Sequence, residues 1–371
     1  MKQAIFLDST PYFKDKIKKS CEQKNIEALF IESNQLTDHL KNKTKFPVII
    51  PLKSSAIEIS AAYNYSQSGA KVGPDQNTAY ACANKLKMRE LMQDSPHNIK
   101  HSTVSSPQEI MSLMHSWDCK KVVAKPICGS SSRHVQEITN TNVLIANSLP
   151  FPMLIEEKIE GLEISAEVLC LSGKPTLIGI LEKTPFHPPY FEEASYSYTN
   201  NLNPRTKAKA ESLLQDLFTR LKFNSGIAHI EMIVNESHAK LIEVNLRFGG
   251  GGLTNTLLKL STGYDLLDGL LCDYLKLPST TQKTINKATI LYLYQVNKGG
   301  KVKSLPMPEL LNNENLKYVE HFEYCKKGDT LIPYPQYSGL PGFAIFQSKN
   351  QTLDPNTLIT YLEQNLAITY E

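Results

Sequence analysis

Glu243, Asn245 and Arg247 occupy alternate positions of "LIEVNLR", and Glu231, twelve residues before Glu243, lies two positions after His229 in "IAHIEMIV". Side chains alternate between the faces of a strand, so an acid, an amide and a base fall on one side while Ile242, Val244 and Leu246 fall on the other. The "NESH" between the two segments reads as the turn of a β-hairpin. A hairpin that brings the polar faces together gathers the oxygens of Glu231, Glu243 and Asn245. Such oxygens suit a hard cation such as Mg²⁺, which takes one or two carboxylates and leaves its other positions to water and phosphate. A single strand glutamate is more often part of a solvated sheet face. Two glutamates, an asparagine and an arginine in phase, followed by "FGGGG", favour a site. The glycines allow the backbone to pass close to a substrate, although a surface loop would use them as well.

A cation of this kind needs a phosphate partner, so lysines beside flexible loops matter next. In "KVVAKP" Lys125 shares a strand face with Val123, and the strand runs into "ICGSSSRHV". Gly129, Ser130, Ser131 and Ser132 can offer backbone N–H and hydroxyl donors to phosphate oxygens there. A plain surface turn has the same composition, and the GxxxxGK[ST] pattern of a P-loop is absent. Lys85, in "ANKLKMRE", fits a solvated helix lysine on pattern alone. "MLIEEKIEGLE" is a β-run ending in Glu156 and Glu157, continued by Lys158 and Ile159, with Glu163 after Gly161. Such a connector can present backbone groups to an adenine edge and a carboxylate to ribose hydroxyls; a charged strand edge would look the same.

The elements that must position these residues follow from periodicity. Residues 1 to about 75 alternate β-rich runs ("QAIFLD", "IEALFIES", "FPVIIPL") with amphipathic segments such as 14–24, which predicts a small open α/β unit. Its first strand is followed by "DSTPYF" rather than GxGxxG, so nucleotide binding by this unit is not expected. A helical pattern starts at Thr78. A second helix is predicted from Ser106, where "SPQE" sets Ser at N-cap, Pro at N1 and Glu at N3 as in a capping box, with Ile110, Leu113, Met114 and Trp117 as its apolar face. A β-rich block leads to a predicted helix over 205–222, whose apolar face is Ala210, Leu213, Leu214, Leu217, Phe218 and Leu221. After the hairpin come short strands, "KATILYLYQV" and "GFAIFQS", and a last helix from Pro355.

A chain of 371 residues, 41% apolar and 21% charged, has room for two or three soluble domains. Lys and Arg outnumber Asp and Glu by only 40 to 37, so neither a nucleic-acid tail nor a polybasic membrane patch is indicated. No apolar run approaches the about 18–20 residues of a membrane span. The seven cysteines are scattered, with no CxxC pair, and read as free thiols in a reducing, cytoplasmic setting.

Set in order, the motifs resemble the ATP-grasp superfamily of carboxylate–amine ligases, from about Gly69 to the C-terminus. "GAKVGPDQNTAYACANKLKMREL" is similar to that family's opening segment, "VVAKPICGSSSRHV" to its lysine and phosphate loop, and "LIEEKIEGLEISAEV" to its adenine hinge. "GIAHIEMIV" with "KLIEVNLRFGGG" is similar to its metal-binding hairpin. The resemblance implies an α/β ATP-grasp fold in three parts. These are an N-terminal open α/β domain over 1–77, a small ATP-binding lobe over 78–155, and a large lobe over 156–371 with a β-rich C-terminal extension. It implies that Lys85, Lys125 and the Gly129–Ser132 loop meet ATP phosphates, that the segment Glu156, Glu157, Lys158 and Ile159 holds adenine largely through backbone, and that Glu163 holds ribose. Glu231, Glu243 and Asn245 would bind Mg²⁺, with Mn²⁺ as an alternative, and Arg247 would hold the substrate carboxylate or its acyl phosphate.

"EKTPFHPPYFEEASYSY" resembles a substrate-side loop of the L-amino-acid ligase branch. There Lys183 is a candidate phosphate or substrate contact, Tyr190 and Phe191 would cover the acceptor, and 184–198 would close over the intermediate. Two positions depart from the family pattern: Asn84 where Asp is usual, and His134 where glycine is common. The activity implied is ATP-dependent carbon–nitrogen bond formation through an acyl phosphate, joining an amino acid to another amino acid or small amine. The partners are small carboxylate and amine molecules, with no nucleic acid and no membrane, and a homodimer is admitted. The runner-up is a glycinamide-ribonucleotide-type ligase or an acyl-phosphate carboxylase of purine metabolism; a further alternative is a non-catalytic ATP-binding regulator.

Overall fold

The structure, a computed structural model, describes residues 2–41, 47–67, 72–129, 132–186, 191–199, 201–279, 281–333, 339–350 and 353–371. The chain divides into two compact units, each built from separate stretches of sequence. The first comprises Met1–Ile99, Ile164–Ile180 and Asn203–Ile285; the second comprises Lys100–Glu163, Leu181–Leu202 and Asn286–Glu371.

The first unit opens with a parallel three-stranded sheet in the order Ile26–Ile31, Lys2–Leu7, Val48–Pro51. Helix Pro11–Gln23 connects its first two strands. Thr10 caps that helix by accepting from the Phe13 N–H, and Pro11 at N1 has no N–H to leave unpaired. Phe13, Ile17 and Cys21, four residues apart, lie on one buried face. Burying each of the two larger side chains contributes about 1.5–3 kcal/mol. The predicted hairpin forms from Phe223–Val234 and Ala239–Asn245, closed by the Asn235 side chain, which accepts from the N–H groups of Ser237 and His238. Helix Pro204–Arg220 lies against this hairpin with Ala210, Leu213, Leu214 and Leu217 buried, as its spacing predicts.

The second unit holds an antiparallel four-stranded sheet in the order His101–Val104, Met153–Glu157, Lys121–Pro126, Gln136–Thr139. Helix Pro107–Trp117 packs on it through Ile110 and Met114. Its N-terminus departs from the expected capping box: the Ser106 hydroxyl donates to Glu109, and Glu109 also accepts from the Ser105 N–H. The glutamate thus ties down the residue before the N-cap, while the serine side chain reaches no N–H of the helix. Farther along, antiparallel strands run Glu193–Tyr198, Thr289–Leu293, Gly342–Ser348, Leu316–Glu323, with helix Pro355–Asn365 against their core. Among the described residues no helix is long and apolar enough to cross a membrane.

Candidate functional site

In the first unit the hairpin register pairs Glu231 with Glu243 and His229 with Asn245, so all four share one face; a bulge follows Glu231. The helical run expected from Thr78 is broken in two at Asn84, whose extended backbone ends Gln76–Ala83 and whose side chain caps Lys85–Leu91 by accepting from the Lys87 N–H. An aspartate would cap in the same way, which accounts for the exchange at this position. Lys85 is thereby the first residue of a helix, not a mid-helix solvated lysine, and its ammonium lies 3.4 Å from Glu243. The fully buried Arg89, one turn on, donates to the carbonyls of Leu241 (2.7 Å) and Ile242 (3.1 Å). That guanidinium ties the helix of Lys85 to the strand of Glu243.

Asn245 donates through Nδ2 to Glu243 Oε1 (2.9 Å) and accepts through Oδ1 from the Ser54 hydroxyl (2.8 Å). Ser54 in turn accepts from Arg247 Nε (3.0 Å), and Arg247 Nη1 donates to the Phe248 carbonyl (2.7 Å). A continuous polar chain therefore runs Lys85, Glu243, Asn245, Ser54, Arg247. Ser54 follows the third strand of the parallel sheet, in "LKSSA", and nothing in that segment marks it. Arg247 also lines a small cleft with Ile50, Asn64, Phe223, Phe248 and Tyr274. The two opposed carboxylates are a donor set that fits a hard cation. Asn245 would join them once its amide turns over, because its oxygen now serves Ser54.

Behind Glu231, His229 bridges two acids: Nδ1 lies 2.5 Å from Glu167 and Nε2 3.0 Å from Glu231. Burial disfavours the imidazolium, but the charge and hydrogen bond of Glu167, with those of Glu231, outweigh it and push His229 up to about 9. The glycines after Arg247 answer to packing within this unit. A Cβ at Gly249 would run into His229, and one at Gly252, where φ is +102°, into the Phe13 ring. Thr10 donates to the Gly251 carbonyl (3.2 Å), so the start of the first helix abuts the glycine run.

In the second unit Lys125 and Glu156 form an ion pair of 2.7 Å, both buried. They share a face because Val123, two residues from Lys125, pairs with Glu156 across the sheet. The Glu156 side chain is thus committed to Lys125, and the Glu157 N–H donates to the Lys100 carbonyl (2.9 Å). Lys158 lies over the Phe191 ring (4.7 Å) and 3.6 Å from Glu137; Ile159 is half-buried outside any regular element. Gly129 is exposed with φ +140°, and the Ser132 hydroxyl donates to the Phe191 carbonyl (2.8 Å). His134 adopts φ +59°, the region that glycine occupies without strain, which explains the glycine common there. Ser130, Ser131 and Tyr190 lie outside the described residues.

Lys183 is buried and held between Glu163 (2.6 Å) and Glu193 (2.8 Å), with the Tyr196 ring 6.0 Å away. Glu193 escaped the sequence reading, since "FEEASYSY" offers two acids and no periodic reason to choose one. Much of 184–198 is not a loop: Glu193–Tyr198 is a strand paired with Lys174–Pro185, with Lys183 opposite Tyr196.

Residues 147–255 match the family model described as ATP-grasp domain. The fold is similar to an L-amino acid ligase from Bacillus licheniformis, with a TM-score of 0.80 at 18% identity over 100% of this chain and 99% of that one. It is also similar to phosphoribosylglycinamide synthetase from Anaerococcus prevotii, at 0.72 and 15% identity over 100% of both chains. For N5-carboxyaminoimidazole ribonucleotide synthetase from Thermotoga maritima the values are 0.73 and 14%, again over 100% of both. No curated protein matches the chain in sequence. The chain has the mixed α/β ATP-grasp fold that its motifs imply.

Proposed function

We propose that this protein is an ATP-dependent carboxylate–amine ligase that joins an amino acid to a second amino acid or small amine, releasing ADP and phosphate. The observation that carries the reading is the hairpin register, which sets Glu231 opposite Glu243 and His229 opposite Asn245, with Arg247 two residues past the end of the strand. The likeness to an L-amino acid ligase supports the choice of substrate class. In this reading residues 1–77, 78–155 and 156–371 are the N-terminal domain, the small lobe and the large lobe. The free cysteines suit the cytoplasm.

One substrate's carboxylate oxygen attacks the γ-phosphorus of ATP and ADP leaves. The amine then attacks the acyl carbon, the bond to phosphate breaks, and the amine proton passes to phosphate or solvent. Arg247 orients the carboxylate: Ser54 and the Phe248 carbonyl take two of its N–H groups and hold the guanidinium while others face the substrate. Lys125, held by Glu156, and Lys85 neutralise phosphate charge. Glu156 to Ile159 receive adenine and Glu163 ribose, with Lys183 holding Glu163 in place. Glu231 and Glu243 would hold Mg²⁺ or Mn²⁺, with Asn245 joining them after its amide turns. When bound, the cation offsets charge building on the phosphate oxygens. No protein nucleophile is needed.

Glu243→Ala is expected to remove ATP turnover while the protein stays folded, because Glu243 is partly exposed and bonded to polar partners. Unchanged ADP production in that variant overturns the cation role. A screen of paired amino acids and amines for ADP and phosphate release tests the reaction: release that depends on a particular pair supports it. ATP hydrolysis indifferent to every pair would replace it with the regulatory alternative, and release specific to a phosphoribosylated amine with the purine-type ligase.

A further inference from the structure

We propose that the buried Glu167–His229 pair is a positioning device for Glu231, fixing one oxygen of that carboxylate so that the other meets the cation. The proposal rests on the ligase reading for what the cation does. Glu231 is half-buried on a strand, and a glutamate there has rotamers to choose among. His229 Nε2 removes that choice by bonding Oε1 at 3.0 Å. The imidazole cannot turn in response, because Nδ1 is held by Glu167 at 2.5 Å and Gly249 lies so close that a methyl group there would enter the ring.

A second buried histidine of the same unit supplies the contrast. His97 satisfies its nitrogens on the Ala239 carbonyl (2.9 Å) and the Ser212 hydroxyl (3.3 Å), neutral partners of the kind that serve packing. His229 instead bridges two carboxylates. Glu167 is fully buried, and its Oε2 has no hydrogen-bond partner among the described residues. Burying an acid behind a histidine is a poor route to stability, since desolvation consumes most of the attraction. The arrangement is intelligible as orientation of a ligand by its outer partners, which is how carboxylate–histidine pairs act around bound metals.

The test uses the full chain and Mn²⁺ with ADP as the probe, free Mn²⁺ being read by electron paramagnetic resonance. Asparagine at 229 reaches the Nδ1 position but not Nε2, whereas glutamine reaches Nε2. His229→Asn is expected to weaken Mn²⁺ uptake on the order of 10–100-fold and to lower kcat with little change in amino-acid KM, and His229→Gln to recover most of both. A folded His229→Asn protein with wild-type Mn²⁺ affinity overturns the proposal. If that variant does not fold, Glu167→Gln decides: it preserves shape and an acceptor for Nδ1 but removes the charge, so weaker uptake supports the device and unchanged uptake overturns it. Wild-type protein that takes up no Mn²⁺ with ADP overturns the ligase reading and this proposal together; equal uptake by wild type and variant overturns this proposal alone.

Discussion

Lys183 shows how a residue read as a cation for substrate can be occupied before any substrate arrives. Its ammonium is buried between Glu163 and Glu193, so its charge first serves to keep two acids in place. Lys183→Met is expected to leave those carboxylates facing each other and to cost about 1–3 kcal/mol, read as a lower urea midpoint; an unchanged midpoint would show that solvent screens the acids. Ser54 is the converse case, a small hydroxyl without sequence signal that connects Asn245 to Arg247. Ser54→Ala should raise KM for the carboxylate substrate more than it lowers kcat, with the unfolding midpoint near wild type. Equal KM in the variant would mean that the Phe248 carbonyl alone orients the guanidinium.

At the scale of elements, the site depends on where helices stop and where the chain turns. Asn84 interrupts what otherwise reads as one helix from Gln76 to Leu91, and that break places Lys85 beside Glu243. Asn84→Ala is expected to cost about 1 kcal/mol of stability and to weaken ATP binding, while Asn84→Asp preserves both; titration with ATP and denaturant unfolding of the pair check this. The glycine run is equally positional. Gly252→Ala would combine a left-handed residue with a clash against Phe13, and overpacking alone costs about 1–3 kcal/mol. A variant as stable as the parent would show that helix Pro11–Gln23 shifts to make room.

For the molecule as a whole, the scattered cysteines provide a probe that needs no substrate. Cys128 is exposed beside the glycine–serine segment, whereas Cys21, Cys82, Cys170 and Cys272 are buried. Burial pushes the thiols of Cys21 and Cys170 up to about 11, leaving little thiolate at neutral pH. Alkylation of the native protein, followed by mass spectrometry, is expected to label Cys128 well before those four, and MgATP to slow that labelling if the adjoining segment receives phosphates. Labelling at Cys128 with the same rate in MgATP would count against that role for Gly129 and Ser132.

Much of the architecture was legible without coordinates, because it rests on short-range periodicity. Alternation located the hairpin, four-residue spacing located the helix over 204–220, and the order of four motifs pointed to the ATP-grasp fold. The types and faces of Glu231, Glu243 and Asn245 were readable for the same reason, since strand geometry converts spacing into side, whereas Arg247 falls past the strand's end at Asn245. Partnership was not readable. Ser54 reaches Arg247 across 193 positions and His229 reaches Glu167 across 62, and no local pattern encodes such meetings. The glycines illustrate the boundary: the sequence announced freedom of backbone, and only the fold revealed that the freedom is used to clear Phe13 and His229. Chain-local physics determined the elements and the chemistry they carry; which charges are held, bridged or already paired was decided by packing between segments far apart in sequence.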